Sequence, residues 1–233
     1  RAVRVLILSP TRELAAQIET SIRTYAQFTT LRSTVIFGGV PVGKQIRALG
    51  DKVDILVATP GRLLDLVDQR AVSLREIEFL VLDEADQMLD LGFIHALRRI
   101  ATLIPKERQT LLFSATMPKP IREIASAYLT DPVEVAVTPV ATTAEKIDQR
   151  VIFTEQNDKP ALLAKTLNVP ELERAIVFTR TKHGADKVVR QLGQSGIEAA
   201  AIHGNKSQGQ RERALGGFRD GSLRILVATD IAA

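Results

Sequence analysis

The 233-residue chain has no cysteine and no tryptophan, and aromatic side chains make up only 4% of it. Without cysteine there are no disulfides and no thiolate metal sites, which suits a reducing compartment. With so few aromatic rings, an aromatic platform for stacking bases is excluded as the main grip on a nucleic acid, and any such ligand is expected to be held by its backbone. No run of about 18 uncharged apolar residues occurs, so no membrane span is read. The opening RAVRVLILSPTREL carries Arg4 inside its apolar part and lacks a small-residue cleavage site, so it is not read as a secretory signal. A cytoplasmic globular protein is expected. The histidines, His95, His183 and His203, are scattered and are read as surface or hydrogen-bonded structural residues.

What is present is an ordinary globular composition, 45% hydrophobic, enough to fill one large core or two modest ones. The formal net charge of +4 is unevenly spread. Residues 1–50 hold seven Lys/Arg against Glu13 and Glu19, and the remainder sums to −1. A basic first segment attracts phosphates.

Short β-rich runs (VRVLILS, STVIF, DILVAT, EFLVLD, QTLLFSAT, VEVAV, QRVIFTE, RAIVFTR, IEAAAIH and LRILVATD) alternate with stretches of helical period such as ELAAQIETSIRTYAQF and KHGADKVVRQLGQ. Apolar strands alternating with helices predict an α/β fold with parallel sheets and helices on both faces. The polar stretch 137–146, with Pro139 and three threonines, is the best linker candidate. It divides the chain into two α/β units, 1–137 and 147–233, joined by 138–146.

In open parallel sheets, ligands gather beyond the carboxyl ends of the strands. The segments there read PTREL, GG, TPGR, DEAD, SAT, TRTK and ATD. Asp83 and Glu84 follow a strand buried by Phe79, Leu80, Val81 and Leu82. One carboxylate in such a place can hold a hydrated Mg²⁺, and its neighbour can orient or deprotonate a water that attacks a phosphoryl group. Taken alone, the pair is more often a charged turn with Asp83 or Asp86 as a helix cap. PTREL and TPGR each open a helix, with Thr11 and Thr59 at the start and Arg12 and Arg62 beside them. Unpaired N–H groups at such starts are phosphate seats. Two of them in a basic segment suggest a track along a sugar-phosphate backbone. The hydroxyls of Ser114 and Thr116 offer hydrogen bonds to Asp86.

One further stretch imitates a nucleotide site. From Gly38 the sequence runs G-x-x-x-x-G-K-Q, ending in Lys44 and Gln45 where a phosphate-binding P-loop has Lys and then Ser or Thr. Gln45 replaces the hydroxyl needed on magnesium, and Pro41 deletes an N–H from the loop. A working P-loop is therefore not expected at Lys44.

The ordered set PTREL, GG, TPGR, DEAD, SAT, IVFTRTK, HGNKSQGQRERAL and ILVATD resembles a DEAD-box ATP-dependent RNA helicase over essentially the whole chain. GFIHALRRI and ATMPKPIREIASAYLTDPVEV are similar to its bacterial members. The resemblance implies two RecA-like parallel-sheet domains, ATP with Mg²⁺ between them, and RNA across both. It implies that Asp83 and Glu84 are the magnesium and water-activating carboxylates, with Asp83 holding Mg²⁺ through water. Asp86, Ser114 and Thr116 are implied to couple hydrolysis to unwinding. Implied RNA contacts are Thr11, Arg12, Gly39, Thr59, Gly61 and Arg62 in the first domain, and Thr179, Arg180, Gln208, Arg211 and Thr229 in the second. Asp230 belongs to the interdomain ATP site on the same resemblance. Ser207, read from the residues themselves, can cap a helix with Gln210 three positions on.

The family's Q motif, P-loop and arginine-rich sixth motif are not in the sequence. The chain starts without Met at Arg1 and stops at Ala233, inside strand-like and motif sequence, so both domains are expected to be truncated pieces of a longer, active protein, and the 233 residues alone are expected to be inactive without the missing loop. A DNA helicase or translocase, and a non-catalytic RNA-binding scaffold, are the alternatives to an RNA-dependent ATPase.

Overall fold

The structure is a computed structural model that describes residues 3–50, 52–136, 147–170 and 172–229. The linker candidate 138–146 and Asp230 lie outside the described residues. Two compact units divide the chain, 1–133 and 134–233.

The first unit is a parallel five-stranded sheet in the order β2-β3-β1-β4-β5. Its strands are β1 (Val5–Leu8), β2 (Ser33–Ile36), β3 (Ile55–Ala58), β4 (Phe79–Leu82) and β5 (Gln109–Leu112). Each is four residues long and rich in branched or large apolar side chains, which suit a pleated, buried surface. The two-residue alternation sorts them by face. Leu6, Leu8, Ile36, Leu56, Ala58, Leu80 and Leu82 point into the main core. There they meet helices α3 (Pro60–Asp68), α5 (Ile94–Leu103) and α6 (Lys119–Tyr128) through Leu63, Leu66, Leu97, Ile100, Ile121 and Ile124. Full burial of each such Leu or Ile contributes about 1.5–3 kcal/mol. On the opposite face Val35, Val57 and Ile7 pack against Ala15, Ile18 and Ile22 of α1 (Arg12–Ala26). The odd-numbered residues of β4 and β5 share that second face, and Phe79 and Leu111 are exposed there.

The second unit holds a parallel three-stranded sheet, β6 (Ala175–Thr179), β8 (Ile225–Thr229) and β7 (Ala199–Ile202), in the order β6-β8-β7. One face packs on α7 (Lys159–Leu167) and α8 (Lys182–Gln194) through Leu167, Ala185, Leu192, Ile225 and Val227. The other packs on α9 (Gln208–Asp220) through Ala214, Ile202, Leu226 and Ala228. Ile176 and Phe178 of β6 are exposed.

Two expected strands are not strands. VEVAV, as far as it is described, and QRVIFTE have no sheet partner. Val133, Val135, Val151 and Ile152 are exposed, and Phe153 is 94% so. Alternation shows that a segment has an apolar face; a strand also needs a neighbour's backbone to pair with, and among the described residues these segments have none.

Candidate functional site

Parallel strands deliver every motif of the first unit to one edge of the sheet. Across it, from β2 to β5, the order is Gly38-Gly39, Thr59-Pro60-Gly61-Arg62, Thr11-Arg12, Asp83 to Asp86, and Ser114 to Thr116. The backbone-binding candidates thus occupy one half of the row and the carboxylates the other.

The carboxylate half is closely tied. Asp83 N–H donates to Leu8 O (3.0 Å), fixing the strand end. Glu84 then turns the chain with φ 50° and ψ 54°, a left-handed conformation that costs a side-chain-bearing residue on the order of 1–3 kcal/mol. The six-residue helix α4 (Ala85–Asp90) follows. Thr116 donates to Asp86 Oδ2 from its backbone N–H and from its hydroxyl, both at 2.9 Å. Ser114 Oγ accepts from the Asp86 N–H (3.2 Å) and donates to Thr116 O (2.8 Å). Burial raises the Asp86 carboxyl, but the hydrogen bonds from Thr116, Ser114 and the backbone outweigh it, so its pKa lies below the usual value. Glu84 moves the other way, raised by desolvation first and then by the charges of Asp83 and Asp86. Crowded, partly desolvated carboxylates at a strand end are a place where a divalent cation relieves repulsion. Among the described residues no set of three or more His, Cys, Asp or Glu forms a metal cage.

The other half is built from two helix starts and a glycine turn. Thr11 caps α1, its Oγ1 accepting from the Leu14 N–H (3.2 Å). Thr59 precedes α3 without a side-chain cap, and Pro60 takes the first helical turn. Gly39 has φ +79°, a conformation strained for any residue with a side chain, and it lies against the Arg12 guanidinium, which a Cβ there would push aside. Gly61 is exposed. Arg62, expected at a phosphate, is bonded within the chain. Its side chain is only 11% exposed, Nη1 donates to Val40 O (3.1 Å) and to Gln45 Oε1 (2.9 Å), and Nε lies 3.3 Å from Asp65.

The stretch from Gly38 to Gln45 is a turn followed by helix α2 (Val42–Leu49), with Pro41 at the cap. Lys44 is exposed and Gln45 is buried, its Nε2 donating to Phe37 O (2.9 Å). The residue in the place of a P-loop hydroxyl thus faces inward.

In the second unit, Thr179 ends β6 and donates to Thr181 O and Ala228 O, Arg180 is exposed, and Thr229 is buried at the end of β8. Ser207 caps α9 in a reciprocal box with Gln210. Gln208 and Arg211 are buried at its first turn, and Gln208 Oε1 has no partner among the described residues. His203 is buried in the loop before α9. Its Nδ1 accepts from Asn205 N–H (3.3 Å), and Nε2 is 3.1 Å from Asp186 Oδ1, which Lys206 Nζ also reaches at 2.8 Å. It is a structural histidine. Sequence reasoning missed Gln45 and Asp186 as partners of these loops, and a polar residue on an otherwise helix-compatible buried face was the available signal for Gln45.

Two parallel sheets with nucleotide-type motifs along their carboxyl edges define a RecA-like helicase core. The sequence profile of the DEAD/DEAH box helicase family matches residues 1–124, and that of the helicase conserved C-terminal domain matches 158–233. The chain belongs to the DEAD/DEAH box helicase family. It is 44% identical to the ATP-dependent RNA helicase dbp2 of Schizosaccharomyces pombe over 98% of this chain and 42% of that protein. With the DEAD-box ATP-dependent RNA helicase CshA of Bacillus subtilis it shares 40% identity over 99% of this chain and 47% of that one. The chain thus spans less than half the length of these relatives. Among solved structures, S. cerevisiae Dbp5 bound to RNA and ADP BeF3 superposes with a TM-score of 0.84 at 28% identity, covering 99% of this chain and 58% of that one. A DEAD box protein from the hyperthermophile Methanococcus jannaschii gives 0.56 at 35% identity, covering 99% and 62%. No described helix is long and apolar enough to cross a membrane.

Proposed function

We infer that this chain carries the RNA-handling and carboxylate parts of an ATP-dependent RNA helicase, which couples RNA-stimulated ATP hydrolysis to local separation of RNA duplexes. One observation carries the reading: on a single sheet edge, the Asp83-Glu84 turn is bonded through Asp86 to Ser114 and Thr116 and stands beside two helix starts and a glycine turn suited to phosphates. The names of the relatives, and the RNA and ADP BeF3 in the Dbp5 structure, support it.

In this reading residues 1–137 and 147–233 are the two RecA-like domains and 138–146 their linker. Asp83 would hold Mg²⁺ through water, and the ion, when bound, would neutralise phosphate charge. Glu84 orients or deprotonates the attacking water, which its raised pKa favours. Asp86, Ser114 and Thr116 transmit the state of that site. Thr11, Arg12, Gly39, Thr59 and Gly61 meet the RNA backbone, with Arg62 behind them. Thr179, Arg180, Gln208, Arg211 and Thr229 do so in the second domain, and Asp230 belongs to the ATP site. A cytoplasmic location goes with the cysteine-free composition.

The test is ATPase activity of the full-length protein carrying this chain, with RNA and DNA compared as stimulants. Stimulation by RNA is expected. Stimulation by DNA and not RNA favours a DNA translocase, and RNA binding without turnover favours a non-catalytic scaffold.

A further inference from the structure

Gln45 lies in the middle of α2 between exposed Lys44 and Ile46, yet is only 7% exposed itself. A buried primary amide costs stability unless its groups are bonded, so its partners reveal what it is for. Both ends of the amide are engaged on the Gly38-Gly39 turn. Nε2 donates to Phe37 O at 2.9 Å, immediately before the turn, and Oε1 accepts from Arg62 Nη1 at 2.9 Å. The same Nη1 donates to Val40 O at 3.1 Å, immediately after the turn. Arg62 is steadied in turn by Asp65 on its own helix. On the other side the Arg12 guanidinium lies against Gly39, whose φ of +79° favours glycine.

We propose that Gln45 is a positioning residue for nucleic-acid binding, its amide and Arg62 clamping the carbonyls that flank Gly38-Gly39 so that the starts of α1 and α3 and the glycine turn form one preorganised set of backbone donors. The inference rests on the RNA reading above and adds to it a residue and a cause. A ligand that runs along a sugar-phosphate backbone needs donors at fixed spacing, and donors already fixed cost less ordering on binding. The turn has two glycines and would otherwise be the loosest of the three seats. Gln is suited to the place because it donates at one end and accepts at the other; Ser or Thr cannot span Phe37 O and Arg62 together.

The experiment uses the full-length protein carrying this chain, with a labelled single-stranded oligouridine as the probe and amide hydrogen exchange as a second readout. Gln45→Met keeps length and helix propensity and removes both bonds. It should weaken RNA binding about tenfold and speed exchange at residues 38–40 by a similar factor. Gln45→Glu keeps the acceptor for Arg62, loses the donor to Phe37 O, and should fall between. Because the two residues act as a unit, Gln45→Met combined with Arg62→Met should bind no more weakly than the worse single variant. RNA affinity within twofold of wild type in Gln45→Met, unchanged exchange at 38–40, or fully additive losses would each overturn the clamp. Wild-type protein that does not bind RNA overturns the reading beneath it; wild-type binding that survives Gln45→Met overturns the clamp alone.

Discussion

Thr116 donates twice to one carboxylate oxygen of Asp86, from its backbone and from its hydroxyl, across 30 positions of sequence. This joins the end of β5 to the first turn of α4, and it has a measurable pH signature. Asp86 has a folded-state pKa below its ordinary 3.8, because hydrogen bonds overcome the effect of burial. A carboxyl so depressed stabilises the folded unit above its unfolded pKa, and that contribution is lost as pH falls through the folded value. Thr116→Val removes the hydroxyl donor. It should cost at most about 1 kcal/mol at pH 7, since Thr116 is exposed, and less below pH 3.8. Urea denaturation at pH 7 and pH 3 measures both, and an equal loss at the two pH values would detach the effect from Asp86.

Glu84 carries the opposite sign. Its carboxyl is raised by desolvation and by Asp83 and Asp86, so its ionisation disfavours the folded state as pH rises through the interval above 4.5. Glu84→Gln should therefore raise Tm at pH 7 by about 1–2 °C, and the gain should fade toward pH 4. In the full-length protein the same change should lower ATP turnover by on the order of 10² while leaving ATP binding in place, because it removes the water-orienting carboxylate and keeps its shape. Turnover within a few-fold of wild type would take Glu84 out of that role.

Arg12 and Arg62 separate contact from support. Arg12→Ala should flatten the salt dependence of single-stranded RNA binding by about 0.7 in log–log slope, as expected when one phosphate contact is removed. Arg62→Ala should weaken binding and leave the slope unchanged, since its guanidinium is directed at Val40 and Gln45. Affinity titrations between 50 and 200 mM salt, roughly the range over which such slopes are read, distinguish them. A slope reduced by Arg62→Ala would return that residue to the RNA surface.

These assignments show where sequence reading reached and where it stopped. The strand ends were legible because apolar runs bounded by PTREL, TPGR, DEAD and SAT carry both the two-residue pattern and the helix-start chemistry. Helix α8 spans the same Lys182–Gln194 that its period marks. The Ser207-Gln210 box was legible for the same local reason. The Arg62-Gln45 contact was not, because it joins residues 17 apart on two helices and depends on which way each turns. The left-handed backbone at Glu84 was hidden as well, since a carboxylate has no preference that announces it. VEVAV and QRVIFTE misled because their pattern is that of a strand while pairing is a property of neighbours.

The Gly38 to Gln45 stretch gives a fourth test. Lys44 is exposed and Gln45 faces inward, so the stretch lacks the inward loop and metal-directed hydroxyl of a P-loop. Calorimetric titration of magnesium and ATP into the 233-residue chain should give no micromolar binding, and Lys44→Ala should change nothing. Micromolar binding that disappears in the mutant would make this turn a working phosphate loop and move the nucleotide to the β2 end of the sheet.

Each of the two sheets leaves apolar side chains open to solvent at one edge. Among the described residues β5 and β6 each have a sheet neighbour on one side only, and apolar side chains on or beside them are open to solvent, with Phe113 52% and Phe178 56% exposed. Phe79, Leu111 and Ile176 extend the same surfaces. Backbone groups unpaired along an edge beside an apolar face are a template for another chain. The 233-residue chain should therefore self-associate at micromolar concentration, seen by sedimentation velocity as a concentration-dependent rise in mean mass. Phe113→Lys and Phe178→Lys place a charge beside each edge without removing a core side chain. Together they should shift the chain toward monomer, each acting on its own unit, so that either alone reduces association only in part. A wild-type chain that sediments as a monomer across that range, or one whose association ignores both lysines, would show that these edges are not what holds copies together.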